Sequence, residues 1–140
     1  MKLLVPIDGS DTSLRAIDTL LAKLDAYRPP GEVHLVNVQH ALRKDVGQFV
    51  DHDEIRSYHQ EEGMKALAPA RAKLDAAGVT YTSHVFVGEA AEVIVQFARE
   101  QGVGGIIMGS HNRSELAQLL LGSVAREVLR SAGVPVTLVN

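Results

Sequence analysis

Short apolar runs alternate with stretches of helical spacing from one end of the chain to the other. Lys2–Ile7 reads as a strand that ends at Asp8-Gly9-Ser10. From Asp11 to Leu24 the residues Leu14, Ile17, Leu20, Leu21 and Leu24 recur at the period of one helix face. Ser10 or Asp11 can cap that helix, and Pro29-Pro30-Gly31 closes the segment after it. Val33–Val38 predicts a second strand, residues 40–50 a loop, and 51–77 one long helix stopped by Gly78. Ile55, Tyr58, Leu67 and Leu74 are expected on that helix's buried face, with Pro69 as a place where it can kink. Thr80–Val87 predicts a third strand and Ala91–Glu100 a helix with Ile94, Phe97 and Ala98 turned inward, ending at Gly102. Gly105–Met108 is the fourth strand. A helix from Ser123 to Ala132 should bury Val124, Val128 and Leu129, and Val134–Val139 is the last strand.

Strands alternating with helices imply parallel pairing through right-handed crossovers, so the expected fold is α/β, an open parallel sheet with helices on both faces. Such sheets bind ligands beyond the carboxyl ends of their strands, where the strand order reverses. The loops after Asp8, after Val38 and between Gly109 and Gly122 all lie at that end. Repeats, low-complexity tracts and linkers are missing, so residues 1–140 are expected to form one domain.

Composition narrows the chemistry. A net charge of −3 and 4% aromatic residues argue against a nucleic-acid binder. With no cysteine there are no disulfides, thiolate metal sites or thiol nucleophiles. No apolar run approaches the length of a membrane span, and Met1–Asp8 is too soon broken for a signal peptide. The expectation is a cytoplasmic protein with no membrane partner.

The stretch from Ile106 to Leu129 carries the strongest functional signal. An apolar strand ends at Gly109, a polar loop comes next, and Gly122-Ser123 opens an amphipathic helix. The free amides of a helix N-terminus favour an anion, and small residues let phosphate oxygens approach the backbone. No Gly-Lys-Ser/Thr follows the glycine and no GxGxxG is present, so this is neither a Walker loop nor a dinucleotide fingerprint.

The chain resembles the universal stress protein family over its full length. The residues that carry the resemblance are Val5-Pro6-Ile7-Asp8-Gly9-Ser10, Gly88, Met108-Gly109-Ser110-His111 and Leu119-Leu120-Leu121-Gly122-Ser123-Val124. Nucleotide-binding members of that family show Gly-x2-Gly-x9-Gly-Ser/Thr. Gly109 and Gly122-Ser123 match its ends, and Asn112 stands where the middle glycine belongs. The resemblance implies a Rossmann-like sheet of order 3-2-1-4-5, a homodimer made through the last strand, and ATP binding, with Mg²⁺ as a further charge carrier. By position it implies an adenine pocket of Pro6, Ile7 and Val38 and a ribose contact at Asp8. Met108, Gly109, Gly122, Ser123 and Val124 would then wrap the ribose and phosphates. Asparagine at 112 tolerates a left-handed turn, and its amide can donate to a phosphate oxygen, but its side chain costs space. Arg113 is the arginine of the loop and can pair with a polyphosphate.

The remaining polar residues read as structure. Asp51, His52, Asp53 and His59 suggest a metal, but His52 and His59 are too far apart on a helix for a compact pair, so a solvated helix start is expected. His34 and His84 are expected to be packed within their strands, and Gly104-Gly105 has no functional account. No nucleophile and base stand together, so the expected role is regulatory rather than enzymatic. The alternatives are an interaction module of the same fold that binds no nucleotide, and an enzyme on this scaffold.

Overall fold

The computed structural model describes residues 1–26, 31–42, 51–111 and 121–140. Its elements in chain order are β1 (Leu3–Pro6), α1 (Asp11–Lys23), β2 (Val33–Gln39), α2 (His52–Ala76), β3 (Thr82–Val87), α3 (Ala90–Gln101), β4 (Gly105–Gly109), α4 (Ser123–Ser131) and β5 (Val136–Val139), with one 3-10 turn at Leu24–Ala26. The five strands pair in parallel in the order β3-β2-β1-β4-β5. The sheet is doubly wound about β1, and its switch point lies between β1 and β4.

Alternation along each strand divides the core in two. Leu3, Val5, Ile7, Val33, Leu35 and Ile107 pack against Ile17 and Leu20 of α1 and Leu67, Ala70 and Leu74 of α2. Leu4, Val36, Ile106 and Met108 face the other way, onto Ile94, Phe97 and Ala98 of α3 and Ala125 and Val128 of α4. Both faces of the central strands are thus covered, which is why β1 and β4 read as unbroken apolar runs.

Local chemistry sets the ends. Ser10 caps α1 by accepting from the Ser13 amide, and Asp51 caps α2 by accepting from the Asp53 amide. Gly102 stops α3 with φ +63°, a left-handed conformation that costs glycine little. α2 runs without interruption through Pro69.

Three expectations about burial need correction. Tyr58 is 48% exposed and Leu129 is 49% exposed, whereas His59, expected in solvent, is only 5% exposed. Tyr58 lies nine residues before Leu67, about two and a half turns at ~3.6 residues per turn, and so falls on the opposite side of α2. The buried stripe instead runs His59, Gly63, Leu67, Ala70, Leu74. Gly63 is part of it because a Cβ there would sit 2.4 Å from Val85 Cγ1, so the helix rests directly on β3. In α4 the inward stripe is Ala125, Val128 and Ala132, one residue out of step with Leu129. Gly104 and Gly105 also gain a reason. A side chain at Gly104 would come within 2.9 Å of Met1 Cγ, and one at Gly105 within 3.3 Å of Met1 Cε.

Among the described residues no helix is long and apolar enough to cross a membrane.

Candidate functional site: a cleft at the switch point

A cleft of about 770 Å³, open mouth included, lies beyond the carboxyl ends of β1, β2 and β4. It sits where a doubly wound sheet leaves room for a ligand. Pro6, Ile7, Asp8, Val38, Met108, Gly109, Gly122, Ser123 and Val124 all line it. Asn112 and Arg113, the other two expected contacts, lie outside the described residues, as does Ser114. Ser13, His40, Ala90, Ile94, Ser110 and His111 complete much of the wall.

The floor is rigid for a reason that lies one layer down. Asn37 is buried in β2 and donates through Nδ2 to the Ile7 carbonyl at 2.8 Å, while Gln39 Nε2 donates to Asn37 Oδ1 at 2.7 Å. The Ile7 amide in turn donates to the Val36 carbonyl at 2.8 Å. The end of β1, which presents Asp8, is therefore held by side-chain and main-chain bonds together. An asparagine set between Val36 and Val38 was the available signal, since a buried amide needs partners.

Asp8 already has a structural task. Its Oδ1 accepts from the Ser10 amide at 2.9 Å and from the Ser10 hydroxyl, and its own amide donates to Ser13 Oγ at 3.3 Å. One carboxylate oxygen thus closes the turn into α1, and the other remains for a ligand.

The glycines divide their roles. A Cβ on Gly109 would lie 2.9 Å from Thr12 Cγ2 and 3.1 Å from the Ser13 nitrogen, so Gly109 lets β4 pass close to the first turn of α1. The Gly122 amide donates to the Ser110 carbonyl at 2.7 Å, and the Ser110 amide to the Val139 carbonyl at 2.8 Å. The Gly122 and Ser110 amides are therefore engaged within the protein. The open donors lie just beyond. No side chain caps α4, and its first helical bond runs from the Arg126 amide to the Gly122 carbonyl. Among the described residues nothing accepts from the amides of Ser123, Val124 and Ala125, and those three residues line the cleft. The helix macrodipole makes such a helix start electropositive.

The described wall carries one carboxylate, Asp8, and two imidazoles, His40 and His111, with no lysine or arginine among the described residues. Nor do the described residues gather three or more metal-ligating side chains anywhere.

A doubly wound parallel sheet of order 3-2-1-4-5 with a cleft at its switch point places the chain among the open α/β proteins. The chain belongs to the universal stress protein family, whose sequence pattern it matches over residues 1–140. It is 33% identical to universal stress protein YxiE of Bacillus subtilis, an alignment covering 99% of this chain and 98% of that one. The solved structure of MJ0577, a universal stress protein of Methanocaldococcus jannaschii, superposes with a TM-score of 0.79 at 31% identity, covering 99% of this chain and 94% of that one. A universal stress protein solved in complex with cAMP superposes with a TM-score of 0.73 at 25% identity, covering 100% and 97%.

Proposed function

We propose that the switch-point cleft binds an adenine nucleotide, ATP with Mg²⁺, and that the bound nucleotide regulates a cytoplasmic homodimer. The observation that carries this reading is the convergence of Asp8 and the open amides of Ser123, Val124 and Ala125 on one cleft with an apolar wall. The apolar part, Pro6, Ile7 and Val38, suits a base; Asp8 suits ribose hydroxyls; the start of α4 suits phosphate. A relative of similar fold is known with cAMP bound, which has the same base and sugar. Asp8 is the carboxylate of the described wall, so Mg²⁺ would be held largely by the phosphates, as this ion commonly is. Arg113 and Asn112 are the further phosphate contacts of this reading.

The regulatory part of this reading is favoured by the use the turn already makes of the carboxylate in the described wall. Asp8 Oδ1 is committed to Ser10. Nucleotide would act by favouring one conformation over another, which requires different affinities for the two.

The test is the adenine-nucleotide content of protein purified without added ligand, read by chromatography after denaturation. A thermal shift with ATP accompanies it, and a ligand at 100 times its dissociation constant should stabilise by about 2.7 kcal/mol. Protein that carries no nucleotide and shows no shift, both as wild type and as Asn112→Gly, would refute the reading. A shift only in Asn112→Gly would favour the second reading, an interaction module whose pocket is closed by that one side chain. ATP turnover above a buffer blank that disappears in Asp8→Ala would show an enzyme instead.

A further inference from the structure

The amino ends of the strands, opposite the cleft, carry a cluster to which the nucleotide reading assigns no part. His34 of β2 is only 7% exposed, and its Nδ1 lies 3.0 Å from Nε2 of His84 on the neighbouring edge strand β3. Its other nitrogen, Nε2, lies 3.0 Å from Glu32 Oε2. The ring centroids are 5.2 Å apart and the planes differ by 26°. Rings so far apart for so short a nitrogen gap lie nearly end to end, with the two lone-pair directions aimed at each other. Two imidazoles sharing a metal ion would instead converge on a third point. Phe97 of α3 packs against both rings, at 5.5 Å from His34 and 4.8 Å from His84, and Phe86 lies 5.8 Å from His84.

We propose that His34 and His84 form a one-proton latch that fastens edge strand β3 to β2 and α3 at neutral pH and releases it as the solution turns acid. A carboxylate only accepts, so Glu32 requires a hydrogen on His34 Nε2. With both rings neutral, His34 Nδ1 is then bare and accepts from a hydrogen on His84 Nε2. One extra proton is accommodated, because the line between the rings still holds a single hydrogen. A second extra proton places N–H against N–H at 3.0 Å, and the contact must open.

The surroundings point the same way. Burial, and then the charge of His34, hold His84 below the usual imidazole value. Glu32 is held below the usual carboxylate range by its bond to His34 and by Lys2, whose Nζ is 3.8 Å away, with the N-terminal amine adding to the effect. From α3 the pair meets the uncharged ring of Phe97, and among the described residues His34 is the one charge acting on His84. These shifts fix the direction of the pH effect. In the unfolded chain His84 takes up its proton near pH ~6.5. In the folded chain it does so only at lower pH, so stability is full above ~6.5 and is lost as pH falls toward the lowered folded value. Inside that window the unfolded state holds one more proton, and the folding equilibrium constant falls by about tenfold per pH unit.

The experiment is urea unfolding from pH 8 to pH 5 on the whole chain and on His84→Gln, which keeps a polar side chain but cannot titrate. The slope with pH is the readout, because the substitution itself lowers stability by a constant amount. The expected result is a wild-type curve steeper than the variant's by about one proton below pH ~6.5, with amide exchange in Thr82–Val87 accelerating in acid only in the wild type. Parallel curves would overturn the latch. Proton NMR of the wild type alone keeps the test open if the variant fails to fold. Coupled titration of the two rings is expected, and two independent single titrations would overturn it. A Zn²⁺-dependent stabilisation lost in His84→Gln would reassign the pair to a metal and equally overturn it.

Discussion

Gly109 shows how one residue can satisfy two requirements that look alike in a sequence. A glycine after β4 suits close approach of phosphate, but the structure also needs it empty on the side facing α1, where a methyl would press on Thr12 and the Ser13 nitrogen. Gly109→Ala should therefore lower stability by about 1–3 kcal/mol in ligand-free protein, the usual cost of overpacking against backbone. Urea unfolding without nucleotide checks this; an unchanged midpoint would leave ligand approach as the glycine's sole purpose. Asp8 separates in the same manner. Asp8→Asn keeps an oxygen for the Ser10 amide and should change stability by less than about 0.5 kcal/mol while weakening nucleotide binding. Asp8→Ala removes the acceptor as well and should cost about 1–2 kcal/mol before any ligand is added. Chemical denaturation run beside nucleotide titration distinguishes the turn from the ribose contact.

At the scale of the element, α4 and α2 present opposite problems. The start of α4 is left open, with Gly122 in an ordinary extended conformation (φ −63°, ψ 154°) that other residues adopt. Gly122→Asp should let the helix cap itself, a gain of a few tenths of a kcal/mol in ligand-free protein. The new carboxylate would occupy the same amides and repel phosphate, so the proposed nucleotide shift should vanish. A variant that still binds ATP as tightly would place the phosphates elsewhere. In α2 the contest is between propensity and space. Alanine at Gly63 should favour the helix by about 1 kcal/mol, yet its methyl would stand 2.4 Å and 2.6 Å from the two Val85 methyls. Overpacking by this much outweighs propensity, so Gly63→Ala is expected to be destabilising by about 1–2 kcal/mol net. Adding Val85→Ala should recover part of the loss; no recovery in thermal melts would mean the clash is relieved by another route.

The same two helices show what periodicity can and cannot convey. The four helices and five strands of the described residues were legible, because alternating runs and end signals such as Ser10 and Gly102 mark them locally. The buried face of α2 was legible at Leu67 and Leu74 but not in its first half, because His59 and Gly63 carry the stripe there and neither announces itself as core. Tyr58, large and partly apolar, was the misleading residue. In the site, nine expected contacts meet at one cleft, since a doubly wound sheet brings its strand ends together whatever their sequence separation. The strand order itself rested on family resemblance; a pattern of apolar runs does not say which strands are neighbours. Ser110 and Asn37 went unread because they act through the backbone, holding Gly122 and Ile7 in place.

At the scale of the whole molecule, β5 closes one edge of the sheet and pairs only with β4. The carbonyls of Pro135 and Val139 accept from the Ile106 and Ser110 amides. By strand alternation the main-chain groups of Val136 and Leu138 then face the open edge, the pairing surface of the proposed homodimer. Leu138→Asp should sediment as a monomer under conditions where the wild type is a dimer, and an unchanged dimer would point to another interface. Ser110 is one of the residues that tie this edge to the cleft. Ser110 donates from its amide to Val139, from its hydroxyl to Asn140 Oδ1 at 2.7 Å, and accepts from Gly122, the residue that opens α4. A nucleotide that fixes the start of α4 would thereby also fix the end of β5. Linkage then demands reciprocity: if ATP tightens the dimer, dimerisation tightens ATP by the same factor. The expected effect is about fivefold or more on the dimer dissociation constant, read by sedimentation with and without ATP. Ser110→Ala removes the hydroxyl bond to Asn140 while keeping both main-chain bonds, so it should reduce that factor without abolishing either binding event. Equal dissociation constants with and without ATP in the wild type would show that cleft and edge act independently, despite the bonds that join them.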